Sequence, residues 1–456
     1  NNGSTLNINR NKILNVHIHN STKVQCGIMA GHSGDLTVTE NSVSDMVSSG
    51  NGEIYGIMIT SSLNGKINNN DVFNISSTNP EFSQLIAGMR CVTGNSGNYP
   101  VEFNNNSIYN ISSSSSGEHM LVGILKTADW RQYGKFTFQK DSIYHIRCYG
   151  GGGHIIGMHI SYGYTWLQDN VIYDLASTAM SSSGSVTGIK TSENSGGHFV
   201  ERNKIYNLRS SGENPSISGV YIGSTYYASV RLYNNMIGDL QAPNANAEVP
   251  VSGIRITNGG YSFIMFNTIC LNAVSTGETF GSAGIFAEDA SYIDLRNNNI
   301  VNVSVPNGNG VTAAYRNHLS SLENYPLTSN NNNFYAGIPG ANNMIFYDGT
   351  NGCESISNYK ARVSLRDDAS FSELPPFINA SVTPYDLHID KTVPTRLESS
   401  GIRVRNPEPV EKDINEETRY MFPDVGADEF DGISTMPVHP AAARRRRAAA
   451  FFGGIA

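Results

Sequence analysis

The sequence predicts an all-β chain, a parallel β-helix (solenoid) of about eleven coils followed by an irregular C-terminal cap. Two repeating signals and one compositional fact lead there. Asn (once Asp), then any residue, then an apolar residue recurs eleven times, with 29 to 36 residues between successive copies. A Gly-Ile pair or close variant, such as Gly88-Met89, follows nearly every copy after 13 to 16 residues. Only 15% of the chain is charged, while Asn, Ser and 45 glycines supply its polarity and favour turns over helix interiors.

The apolar anchors are Ile13, Val43, Val72, Ile108, Ile143, Ile172, Ile205, Ile237, Ile269, Ile300 and Phe334. Two residues before them stand Asn11, Asn41, Asn70, Asn106, Asp141, Asn170, Asn203, Asn235, Asn267, Asn298 and Asn332. A period near 32 also suits paired-helix repeats, but those need long helical stripes. Here the apolar runs are four to six residues, β-branched and flanked by turn formers, which reads as strand. Stacking each run on its copy one coil away builds parallel sheets with a strand spacing of about 4.8 Å. Each Asn then lies over the next, donating to one neighbour and accepting from the other, so the row forms a structural ladder. Asp141 lacks the donor and is the expected weak rung. A second corner follows at Asn15, Asp45, Asn74, Asn110, Asp174, Asn207, Asp239 and Asn302.

Composition also narrows the partners. The net charge of −8 gives no reason to expect nucleic acid. No apolar run reaches 18 residues, so no membrane insertion is expected. The five cysteines form no CxxC pair, and neither a metal nor a cofactor is expected. His32 in "GHSG" has no matching acidic pair at the same coil position and reads as structural.

Two outward rows are candidate contact surfaces. Alternation places the residue after each anchor outside, which gives Phe73, Tyr109, Tyr144, Tyr173 and Tyr206 on five consecutive coils. They form either a self-stacking ladder or a surface for sugar rings or a partner protein. The second row, two residues after the repeated Gly, includes Arg90, His159, Lys190, Tyr221, Arg255, Phe286 and Arg316. It reads as a solvated sheet face or as a contact for acidic glycans. Glu288 and Asp289 are not expected to gather around it as a catalytic centre, and no catalytic residue is assigned.

These repeats resemble the right-handed parallel β-helix repeats of the pectin-lyase-like superfamily over about residues 5–337. That fold carries lyases, hydrolases, tailspikes and adhesins alike. The NTD, DD, GHG and RIK patterns of its pectin-degrading members do not occur in the coils, and Arg366-Asp367-Asp368 falls in the cap. From Pro306 onward the chain holds twelve of its 17 prolines. There, Asp386, Leu387, His388, Asp413, Arg419, Asp424, Gly426, Ala427 and Glu429 resemble the closing D-I-G-A-x-E segment of large secreted β-helix proteins of Bacteroidota. The Gly expected between Asp413 and Arg419 is missing. The resemblance implies that this segment folds over the last coils.

The expected organisation is a β-helix over 1–337, a cap over 338–432 and a tail over 433–456. The tail carries Arg444 to Arg447, which read as a basic contact or as a linker or foreign sequence. The first coil begins at once, so further coils are expected before Asn1. The functional expectation is a non-catalytic secreted or bacterial cell-surface protein: an adhesin, stalk or assembly subunit. It would meet polysaccharide or another surface or secretion protein and travel by the type IX route. The alternatives are a polysaccharide lyase or glycoside hydrolase on the same fold, and passenger cargo of a secretion complex.

Overall fold

The computed structural model describes residues 4–436 apart from 63, 93–99, 128–133, 180–183, 193–195, 224–228, 319–321 and 382–384. Arg444 to Arg447 lie outside the described residues. Most coils supply three short strands, and in two late windings the first two run on as Val251–Met265 and Ser282–Arg296. One coil consists of Ile54–Ser61, Asn64–Asn68 and Asp71–Ser77, and the next of Leu85–Cys91, Val101–Asn104 and Ser107–Ser113. Each strand pairs in parallel with its counterpart, so Val72 aligns with Ile108 and Ile108 with Ile143. The result is an all-β solenoid of about ten turns. Eleven anchors bound ten complete windings, which accounts for the difference from the expected count.

The repeated glycine has a packing cause. A methyl group at Gly88 would lie 2.3 Å from Ile108 Cγ2 and 2.9 Å from the Gly123 carbonyl. The bare backbone lets the anchor close over the adjacent strand, and the anchors from Val43 to Phe334 are fully buried.

Two left-handed corners shape most coils. The first is the residue before each ladder position, as at Asn69 (φ 56°), Asn105 (φ 55°) and Asn234 (φ 57°). The second follows the aromatic row, as at Asp45 (φ 56°), Asn74 (φ 55°) and Asp174 (φ 57°). Asn and Asp tolerate this region better than other side chains. Asn302 departs from the expected corner. It sits buried in the strand Asn299–Asn302 and donates to the Ala313 carbonyl at 2.8 Å. The preceding coil has Leu271 in the same place, so the last windings dispense with this bend.

The ladder runs the length of the column. The Asn70 backbone N–H and side-chain amide both donate to Asn106 Oδ1 at 3.0 Å. The same amide also reaches back to the Val38 carbonyl at 2.9 Å. The pattern repeats from Asn11 through Asn41, Asn170, Asn203, Asn235, Asn267 and Asn298 to Asn332. The final rung, Asn332, donates to Asp367 Oδ1 at 3.0 Å. Asp367 is fully buried and also accepts from the Tyr359 hydroxyl at 3.0 Å, so it terminates the ladder.

The C-terminal region has two parts. One seals the end of the column. Asn343–Tyr347 still pairs in parallel with Thr312–Asn317, beyond the expected boundary at 337. The helix Ile356–Val363 then lays Tyr359 and Val363 against the core, capped by Ser355, whose hydroxyl accepts from Asn358 N. The other part runs along the side as a strap. Leu387, Ile414 and Ala427 pack on the outer face of Met236, Cys270 and Val301. First-corner side chains hold it: the amides of Asn234, Asn297 and Asn331 donate to the carbonyls of Lys412, Ile402 and Ser400, each at 2.8 Å. Residues of 413–430 tie the strap to itself. Arg419 donates to Glu429 at 3.0 Å, Asp424 accepts from the Phe430 N–H at 2.7 Å, and Asp413 accepts from the Glu429 N–H at 3.0 Å.

Candidate functional site

The aromatic row forms one continuous stack. Ring centroids from Phe73 through Tyr109, Tyr144 and Tyr173 to Tyr206 are 4.8, 4.9, 5.0 and 5.2 Å apart, with planes within 11° of parallel. The faces are spent on neighbouring rings, so the stack presents edges and hydroxyls. Burial raises the hydroxyl pKa of Tyr109, Tyr144, Tyr173 and Tyr206, which keeps them neutral donors. Gly238 takes the next place in the row. Tyr385 of the strap fills the gap, 6.4 Å from Tyr206, with its hydroxyl donating to the Cys270 carbonyl at 3.0 Å.

A cavity of about 220 Å³ opens at this junction, lined by Lys204, Tyr206, Met236, Tyr385, Asp386 and His388. The His388 ring bonds Asp386 through Nδ1, and its Nε2 accepts from the Asn415 amide at 3.1 Å. Burial alone would raise the Asp386 pKa, but hydrogen bonds from the His388 backbone and ring hold it below the usual carboxylate value. The cavity therefore offers a cation, an ionised carboxylate and ring edges. It is smaller than a drug-sized pocket and suits a single small ring.

The second row is one register column. It passes from Met58 to Arg90, Leu125, His159, Lys190, Tyr221, Arg255, Phe286, Arg316 and Tyr347. From Lys190 on, cations and rings alternate. Lys190 lies 5.3 Å from the Tyr221 ring, Arg255 5.1 Å from Phe286, and Arg316 5.0 Å from Tyr347. Arg90 stands apart from that run, over Tyr55 at 4.9 Å and paired with Glu53 at 3.2 Å. His159 bonds Ser192 at 2.9 Å, and burial lowers its pKa to about 4, so it is neutral. Glu288 pairs with Arg255 at 3.0 Å, and the Asp289 side chain lies outside the described residues. Arg316 pairs with Glu248 at 2.7 Å and donates to His318 at 3.2 Å. His32 contacts the Ser4 carbonyl at 3.1 Å.

Two features lie outside both rows. Trp166 and Phe199 stack at 4.9 Å on a neighbouring face, with Lys135 over Trp166 and Arg231 over Phe199. Both rings fall one coil apart at the same strand position, which the period could have exposed. Lys204, Tyr385, Asp386 and His388 meet only through the strap; the bare glycine in the aromatic row was the available signal of a close approach. No family model, curated protein or solved structure matches the chain.

Proposed function

We propose that the chain is a non-catalytic secreted or cell-surface β-solenoid, an adhesin or stalk that meets extended glycans along its aromatic row. The observation that carries this reading is the unbroken stack from Phe73 to Tyr206 leading into the cavity beside Lys204, Asp386 and His388. A polymer lying along the column would run past regularly spaced hydroxyls and reach a pocket sized for one ring. The Asp386 carboxylate and Lys204 would accept from and donate to its hydroxyls. The test is affinity electrophoresis against a panel of neutral and acidic polysaccharides. Retardation of the wild type that disappears in Tyr144→Ala and Lys204→Ala supports the reading, and uniform migration through every polymer refutes it.

A second reading, a polysaccharide lyase or glycoside hydrolase, draws on the gathering of Arg255, Glu288, Arg316, His318 and Glu248 on the other outward row. Cleavage of any uronate-containing polymer, lost in Arg255→Ala or Lys190→Ala, would replace the first reading with this one.

A further inference from the structure

The strap carries an open cavity of about 800 Å³ whose described lining includes Arg403, Arg405 and Arg419 and no carboxylate. Arg419 is paired with Glu429 at 3.0 Å inside the strap, so the uncompensated charges of this lining are Arg403 and Arg405. A smaller cavity of about 170 Å³, lined also by Glu411 and Lys412, adjoins it through Arg403, Thr418, Arg419 and Tyr420. Arg403 and Arg405 are exposed, and neither makes a hydrogen bond or ion pair among the described residues. Arg419 is buried, and its Nε–H has no acceptor there. The rim is apolar: Ile402, Tyr420 and Met421 are 51%, 50% and 58% exposed.

The wall is held firmly. Ile402 exchanges two 2.8 Å hydrogen bonds with the Asn297 side chain, and Val404 packs against Tyr233, Met265 and Phe266. Glu408 accepts from Arg231 at 2.9 Å. The two free guanidinium groups therefore sit on an anchored segment, so little backbone freedom is lost when they are engaged.

Guanidinium forks match carboxylates two-pronged, and Arg, Tyr and Met are the residue types enriched at the centres of protein interfaces. Arg403 and Arg405 are two residues apart, so their Cα atoms are separated by at most about 7 Å. That matches the spacing of alternate side chains on an extended peptide. We propose that this groove docks an extended acidic peptide segment of a partner protein, with carboxylates on Arg403 and Arg405 and an apolar side chain against Tyr420 and Met421. The proposal stands on its own observations and does not depend on the glycan reading.

The test uses the full chain and a fluorescein-labelled Glu-Phe-Glu-Leu-Glu peptide, followed by fluorescence anisotropy. Saturable binding is expected. It should weaken by about tenfold or more in Arg403→Gln/Arg405→Gln, in the peptide with Gln at every Glu, and on raising salt from 0.05 to 0.5 M. Arg209→Gln, an exposed arginine on another face, should bind as the wild type does. An unchanged melting curve for the double variant excludes unfolding as the cause. No saturable binding, equal binding by the double variant, or binding of polygalacturonate in place of the peptide would overturn the proposal.

Discussion

Asn106 donates both its backbone N–H and its side-chain amide to a single atom, Asp141 Oδ1, at 2.8 and 2.9 Å. The other carboxylate oxygen, Oδ2, is buried with no partner, where each neighbouring rung places an amide donor. Burial raises the Asp141 pKa well above its usual value, so the folded chain favours the protonated acid. A proton on Oδ2 would restore the missing donor. The equivalent acceptor is the Phe103 carbonyl, three residues before the previous rung, as Val38 is for Asn70.

Asp141→Asn is therefore expected to stabilise the column by about 1–3 kcal/mol near neutral pH. The sign of the pH effect follows from the raised pKa. Stability from the acid form is complete below the unfolded-state value and is lost as pH rises toward the folded one. The gain from the substitution should thus be smallest near pH 4 and grow toward pH 8. Thermal melts at the two pH values measure it; an equal gain at both would mean that Asp141 does not carry the proton.

Asn203→Ala removes the acceptor for two donors of Asn170, at 3.0 and 2.9 Å, and the donor to the Leu167 carbonyl at 2.9 Å. All three groups are in the dry interior. Destabilisation by about 3 kcal/mol or more is expected from urea titration, whereas the same change at half-buried Asn207, whose amide makes one long hydrogen bond to Asp174 at 3.4 Å, should cost only about 1 kcal/mol.

Gly238→Ala would place a methyl group 2.2 Å from the Tyr385 hydroxyl oxygen. The anchor Ile237 beside it and the parallel pairing do not depend on Tyr385. The expected outcome is a loosened strap on an intact column: faster proteolysis within 377–430 with little change in far-ultraviolet circular dichroism.

Tyr144 touches rings on both sides, Tyr109 at 4.9 Å and Tyr173 at 5.0 Å. Tyr144→Ala should cost about 1–3 kcal/mol of stability by losing both stacking contacts. Tyr144→Phe keeps the stack and removes one hydroxyl. Under the glycan reading it should retain stability and lose affinity, which separates the structural role of the row from a binding role.

What the sequence disclosed follows its period. Asn70, Asn106 and Asn203 share one ladder, and Gly88 and Gly123 share one column, because each occupies the same place in a repeated unit. The strap has no such echo. Tyr385 meets Cys270, and Arg419 meets Phe266, across more than a hundred residues without periodic spacing. Asp367 was visible as part of an acidic pair, yet its place at the end of the ladder depends on how residues 348–370 turn back on the column. The Arg403–Arg405 groove was hidden for the same reason, since Asn331 and Thr418 come to its wall from distant parts of the chain.

A column of like windings offers few landmarks by which an added segment could find its address. The bare position at 238 supplies one. Along the outward row every other place from Phe73 to Val301 bears a side chain, so Tyr385 fits at one storey and would clash at the rest. One missing Cβ thus acts as a keyway for Tyr385, beside the amide contacts that hold the rest of the strap.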